Sequence, residues 1–101
     1  MRRAFRPLLI SGLFLAALEA RPGNAGDVEY GAYLAQECSS CHHIHVQKPG
    51  IPHIVGLPTD YFIAALSGYK EGARDNATMQ TIARSLDDEQ IAALAAYFAQ
   101  Q

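Results

Sequence analysis

The sequence predicts an all-α fold of three to four short helices, and two observations support this prediction. Apolar residues recur every three or four positions in the segments 27–37, 59–71 and 87–98, as they do on the buried face of a helix. No other stretch has both the length and the polar–apolar alternation of a β-strand. We therefore expect helices joined by loops at 47–56 and 74–78, without a sheet.

The first predicted helix, 27–37, contains no proline and carries a glycine in its interior. Glycine costs about 1 kcal/mol inside a helix. Gly31 therefore indicates a place where another helix crosses closely. We expect that partner to be the last helix, because its small alanines let two backbones approach.

The other two predicted helices carry recognisable end signals. Asp87 reads as an N-cap with Gln90 completing a capping box, followed by an apolar stripe. The middle helix is expected to begin near Thr59, capped by the threonine hydroxyl after Pro58, and to stop at Gly72. The stripe of the last helix consists of Ile91, Leu94, Ala95 and Phe98.

Residues 1–25 read as a cleavable secretory signal peptide. Three arginines precede an apolar stretch, Leu8 to Leu18, and small residues follow at Gly23 and Ala25. Eleven helical residues rise only about 16 Å, against about 30 Å for a bilayer core, which argues against stable membrane insertion. We predict cleavage after Ala25 rather than after Ala20, export to the periplasm, and a single domain at 26–101.

The charge of residues 26–101 restricts the class of partner. This segment holds four basic and nine acidic side chains, a formal charge of −5. Nucleic acid and anionic membranes are therefore poor partners, and a protein with a basic docking face is favoured. Seventy-six residues also lie near the size at which a hydrophobic core needs an internal staple.

The sequence Cys38-Ser39-Ser40-Cys41-His42 has the spacing of c-type haem attachment. Cysteines three apart at a helix end lie on one side, so both thiols can reach the two vinyl groups along one porphyrin edge. The next residue, His42, is then placed to ligate the iron. The motif predicts one covalently attached haem c.

Three other interpretations of the cysteine pair are less consistent with the sequence. A Cys38–Cys41 disulfide closes a loop too small to stabilise much, and a thioredoxin-like pair needs a βαβ pattern that is absent here. Zinc is the better rival, since His43 and His45 follow directly and would complete a tetrahedral set. Such a set would leave the two later helices without a common centre, so haem is favoured.

Met79 is the predicted sixth ligand of the iron, because His and Met form an axial pair suited to electron transfer. His43 and His45 follow His42 too closely and are expected at the surface, whereas His53 stays open as an alternative ligand. The other ring nitrogen of His42 needs an acceptor. We expect that acceptor to be the carbonyl of Pro52, with Pro49 as the second choice.

A set of short motifs spread over residues 26–101 resembles the pattern of a known family. The motifs are Gly31 with Tyr33-Leu34, Cys38-Ser39-Ser40-Cys41-His42, Ile51-Pro52-His53-Ile54-Val55-Gly56, Pro58 with Tyr61, Tyr69, Gly72, Arg74, Met79 with Ile82-Ala83, Leu86-Asp87-Asp88-Glu89 and Ala95-Ala96-Tyr97-Phe98. They resemble the class I cytochromes c, within the small single-haem group of cytochromes c-553 and the cytochrome subunits of flavocytochrome c sulfide dehydrogenase. His43 departs from the pattern, in which glycine is common at that place.

The resemblance implies a small all-α cytochrome fold around one haem, with the first and last helices crossing at Gly31 and Tyr97. It implies Met79 as the distal ligand and Pro52 as the acceptor for His42. The residues expected to complete the haem pocket are Ile54, Gly56, Tyr61, Leu66 and Ile82.

The implied function is single-electron transfer between redox partners, without enzymatic activity. A dedicated cytochrome subunit of a flavoprotein dehydrogenase is the alternative. A haem sensor or a zinc-binding module is less favoured.

Overall fold

The structure, a computed structural model, describes residues 3–5, 7–9, 12–13, 26–45 and 48–101. Within these residues it contains four α-helices and no strand. The helices are α1 (Val28–Cys38), α2 (Thr59–Glu71), α3 (Ala77–Arg84) and α4 (Asp88–Ala99). The all-α prediction is confirmed.

The N-terminal segment is described only in short pieces. Most of the predicted signal peptide, 1–25, lies outside the described residues, so its cleavage stays a prediction. Among the helices that the structure describes, none combines the length and apolar character needed to cross a bilayer.

Helices α1 and α4 cross in close contact at Gly31. Gly31 is buried, and a Cβ atom built on it would collide with the Ala93 backbone and lie 2.7 Å from Tyr97 Cβ. Nearby, Gln90 Nε2 donates a hydrogen bond of 3.1 Å to the Tyr30 hydroxyl. The predicted crossing is confirmed, and the reason for glycine is steric.

The helix ends agree with the sequence signals except at the start of α2. Asp87 accepts from the Gln90 backbone at 2.8 Å, and Gln90 Oε1 accepts from the Asp87 backbone at 2.9 Å, which is the predicted capping box. Gly72 ends α2 in the left-handed conformation, with φ of 81°. The predicted hydroxyl cap is wrong: Thr59 is already the first helical residue, and the N-cap, Pro58, makes no side-chain bond.

Helix α3 was not predicted as a separate element. It begins within what the sequence indicated as a loop, and the side chain of Asn76 caps it by accepting the Met79 N–H at 2.9 Å. Its eight residues include Thr78 and Thr81, whose β-branched side chains weaken helix propensity. Asn76 was the signal that could have revealed it.

The core unites side chains from all four helices. Phe62 on α2 and Phe98 on α4 stack with ring centroids 5.6 Å apart. The loop before α2 is fixed to the core because the Gly56 N–H donates to the Phe98 carbonyl at 2.8 Å. The clustered buried residues are Ala35, Phe62, Leu66, Ala83, Ile91, Leu94, Ala95 and Phe98.

The crossing makes a prediction about stability. Gly31→Ala improves helix propensity by about 1 kcal/mol, yet the collision with Ala93 and Tyr97 should lower the free energy of unfolding by about 2 kcal/mol net. Denaturant unfolding of the haem-bearing protein measures this change.

Gly68→Ala is the matched control within α2. A Cβ atom there would meet no backbone atom and only the aliphatic part of the Arg74 side chain, at 3.0 Å, so stability should stay within about 1 kcal/mol of the parent. Equal losses at both glycines would contradict a close crossing at Gly31.

Candidate haem site

The cysteine motif begins on the last residue of α1 and continues as a turn. The N–H groups of Cys41 and His42 both donate to the Cys38 carbonyl, at 3.2 and 2.8 Å. Both thiols are free, Cys38 is partly buried and Cys41 is exposed. The turn thus places two thiols and an imidazole side by side at the end of one helix.

The two thiols differ in their surroundings. Burial raises the pKa of the Cys38 thiol, and the nearby negative charge of Glu37 raises it further. Cys38 is therefore the half-buried member of the pair, and Cys41 is its solvent-facing member.

Two adjoining cavities open beside His42. The main cavity has a volume of about 160 Å³ and the side cavity about 100 Å³, and both are open to solvent. The residues lining both are Cys38, His42, Met79, Ile82, Leu86 and Leu94. Cys41 also lines the side cavity, so all four predicted haem-binding side chains meet there.

His42 is held by the loop that follows it. Its Nδ1 lies 2.9 Å from the Pro52 carbonyl oxygen. A carbonyl can only accept, so Nδ1 must carry the proton. Nε2 of the neutral ring then has a free lone pair, which is the form that binds a metal.

The sequence indicated a loop at Met79, but Met79 lies in the first turn of α3. It is partly buried and packs against the core. The Asn76 cap fixes the backbone of this turn through the Met79 N–H. A thioether is thereby placed on a different helix from His42 but against the same cavities.

The predicted pocket residues divide into those that line the cavities and one that does not. Pro52, Ile54, Tyr61 and Leu66 line the main cavity, and Ile82 lines both cavities. Gly56 lines neither. It fixes the loop to α4 instead, through its bond to the Phe98 carbonyl.

The three remaining histidines occupy different environments. His45 is exposed as expected, and His53, also exposed, lines the main cavity. His43 was also expected at the surface, and this prediction is wrong. His43 is partly buried and lines a small cavity with Ile51 and Pro52. Its Nε2 is buried without a hydrogen-bond partner among the described residues.

Arg74, which is one of the resemblance motifs but had no predicted role, lines the main cavity. Its guanidinium lies 4.8 Å from the Tyr69 ring centroid and donates to the Tyr69 hydroxyl at 3.4 Å. Hydrogen bonding to Tyr69, and then to Tyr61, raises the pKa of Arg74 above its usual value. Its backbone is also fixed, since its N–H donates to Gly68 and its carbonyl accepts from Gln80.

Arg74 is the one lysine or arginine among the described residues that line this mainly apolar cavity, and its contact with Tyr69 orients it. The signal available in the sequence was a lone arginine two residues after the helix-ending glycine, which by itself indicates no ligand.

Comparisons with known proteins identify the family. Residues 28–101 match the family model of cytochrome c, so the chain belongs to the cytochrome c family. The chain is 31% identical to cytochrome c4 of Pseudomonas aeruginosa over 93% of its own length and 48% of that protein. It is 35% identical to cytochrome c-553 of Desulfomicrobium norvegicum, over 72% of the chain and 95% of that protein.

A third relative is named thiosulfate dehydrogenase electron acceptor, from Thiomonas intermedia. It is 36% identical over 63% of the chain and 31% of its own length. The chain therefore spans about half, or less, of the length of two of these three relatives. The resemblance to class I single-haem cytochromes is confirmed, whereas the link to sulfide dehydrogenase is not shown.

Membership of this family implies covalently attached haem c. The residues at the cavities fit that group. Two thiols, an imidazole with a free Nε2 and a thioether converge on a mainly apolar cavity.

The cap of α3 makes a prediction about the site. Asn76→Ala removes the acceptor for the Met79 N–H and should lower the free energy of unfolding by about 1 kcal/mol. Thermal unfolding of the haem-bearing protein measures the loss.

Asn76→Asp retains a side-chain oxygen and is the matched control. It should keep most of the stability. If both variants lose the same amount, the cap does not hold this turn.

Proposed function

We propose that residues 26–101, after cleavage of the signal peptide 1–25, form a periplasmic single-haem cytochrome that moves single electrons between redox proteins. Cys38 and Cys41 would bind the haem covalently, with His42 and Met79 as axial ligands. The observation that carries this proposal is that all four side chains line the side cavity.

The chain's own residues set the ligand geometry in this proposal. The hydrogen bond to the Pro52 carbonyl orients the His42 ring and makes its Nε2 a more basic ligand for a metal. Met79 approaches from α3, which is a separate element held by its own cap. When bound, the haem supplies an iron that is reversibly reduced by one electron, and a His–Met pair favours the reduced form.

The pocket residues keep water from the ring and bind its charged edge. Ile54, Leu66 and Ile82 present apolar surface to the cavities. Arg74, fixed against Tyr69, is suited to the anionic propionate groups of a haem, because arginine binds carboxylates through a rigid fork of donors.

The electron partner is a second redox protein. The alternative to a free carrier is a dedicated subunit of a flavoprotein dehydrogenase such as sulfide dehydrogenase. A relative named thiosulfate dehydrogenase electron acceptor supports an oxidoreductase as the electron donor. Copurification with a larger protein distinguishes a subunit from a free carrier.

A gas or haem sensor would need an open sixth position at the iron. Met79 lines both cavities with His42, which disfavours that role. The zinc-binding interpretation is not retained, because the family carries haem c.

The direct test is an optical spectrum of protein expressed in a periplasm competent for cytochrome maturation. Oxidised and reduced spectra should show a low-spin haem and a weak red band from sulfur ligation. The colour should survive acid-acetone extraction, and mass spectrometry should show a chain that starts at Gly26. A colourless product, or haem lost on extraction, would contradict covalent attachment.

The ligand assignment makes its own prediction. Met79→Ala should convert the iron to a high-spin state that binds carbon monoxide, because the sixth position loses its thioether. Absorption spectra with and without carbon monoxide measure this.

His53→Ala is the matched control, since His53 lines the main cavity and is the alternative ligand. It should leave the low-spin spectrum unchanged. A high-spin His53 variant beside a low-spin Met79 variant would assign the ligand to histidine.

A further inference from the structure

The helix that carries Met79 has little buried apolar surface of its own. Ala83 is the only fully buried residue of α3, whereas α4 buries Ile91, Leu94 and Phe98 among others. Hydrophobic stabilisation is proportional to the apolar area removed from water. Among the described helices the backbone of α3 also lies close to α2 alone. The position of α3 therefore depends on polar contacts at its two ends more than the position of α4 does.

The N-terminal end of α3 is fixed to α2 through the segment between the two helices. The Arg74 N–H donates to the Gly68 carbonyl at 3.1 Å. The Arg74 carbonyl in turn accepts from Gln80 Nε2 at 2.9 Å. Asn76 caps the first turn by accepting the Met79 N–H. Several hydrogen bonds therefore hold this end of the helix.

The C-terminal end of α3 is joined to α2 by one side chain. Lys70, in the last turn of α2, donates from Nζ to the carbonyl oxygen of Leu86, just beyond the end of α3. The two helix ends are neighbours, since a Cβ atom built on Gly72 would lie 3.9 Å from Arg84 Nη2. Within the described residues, no other hydrogen bond joins α2 to residues 84–87.

The contact between Lys70 and Leu86 lies beside the haem site. Lys70 is partly buried, and Leu86 lines both cavities together with His42 and Met79. A hydrogen bond from a charged donor is stronger than one between neutral groups. The ammonium group also lies near the C-terminal ends of α2 and α3, where helix dipoles favour a positive charge. One charge-assisted bond therefore connects α2 to a residue of the cavity wall.

We propose that Lys70 is a positioning residue for the distal ligand, because its bond to the Leu86 carbonyl holds the C-terminal end of α3 against α2 and so keeps Met79 on the iron. This inference rests on the proposed function, in which Met79 ligates the haem. A helix of eight residues that is fixed at one end only can tilt and rotate about its axis. Either motion changes the direction in which the Met79 side chain leaves the backbone.

The test measures how often Met79 is off the iron. Imidazole takes the sixth position of a ferric haem only when the thioether has left it, so its apparent affinity is proportional to the fraction of molecules in that state. Imidazole is titrated into the ferric holoprotein, and loss of the weak red band reports binding. Lys70→Met keeps the length of the side chain but removes the charged donor. It should raise the imidazole affinity roughly tenfold.

Three further variants separate positioning from charge and from general stability. Lys48→Met makes the same change of charge at an exposed residue, and Gly31→Ala destabilises the molecule at the α1–α4 crossing. Both should leave the imidazole affinity within about twofold of the parent, because neither touches the contact between Lys70 and Leu86. Lys70→Arg retains a charged donor and should restore most of the parent behaviour.

The outcomes distinguish this proposal from the proposed function. A parent protein that shows the red band, with unchanged imidazole affinity in Lys70→Met, would overturn the positioning role and leave the proposed function intact. An equal rise in Lys70→Met and Gly31→Ala would also overturn it, because affinity would then follow general stability. A parent holoprotein without the red band would count against the proposed function, and the positioning role would fall with it. Lys70→Gln, which shortens the side chain and removes its charge, provides the same measurement if Lys70→Met does not mature.

Discussion

The contact between α1 and α4 at Gly31 is the constraint on which the rest of the structure depends. Backbone approaches backbone there, because a Cβ atom at Gly31 would collide with Ala93 and Tyr97. α1 ends at Cys38, so the crossing fixes where the cysteine motif begins. The same α4 supplies Leu94 to the cavity wall, and one contact therefore positions both the attachment point and part of the pocket.

Residues 48–58, between the motif and α2, are held by hydrogen bonds to both of their neighbours. At one point the Pro52 carbonyl accepts from His42, and at another the Gly56 N–H donates to Phe98. These bonds connect the proximal ligand to the core without any regular secondary structure. A short, irregular segment can therefore hold an imidazole in one orientation.

Features marked by a distinctive residue were predictable, and features set only by how the loops pack were not. The cysteine spacing and the Asp87 cap depend on a few neighbouring residues, and a glycine inside a helix marks the Gly31 crossing. The structure has the predicted crossing and cap. Burial of His43 depends on how the following loop folds. The orientation of Arg74 depends on its contact with the Tyr69 ring. Helix α3 was missed because it is only eight residues long and contains two threonines, whose β-branched side chains weaken helix propensity.

The short length of α3 has a consequence for the order in which the molecule unfolds. Among the described helices the backbone of α3 lies close to α2 alone, and Ala83 is its one residue buried in the core, whereas the α1–α4 pair makes an extensive contact. Partial opening of such a peripheral unit requires less free energy than global unfolding. In hydrogen exchange, α3 amides would then exchange ahead of α4 amides, and the thioether side of the pocket would admit solvent or a competing ligand while the thiol-bearing helix stayed folded.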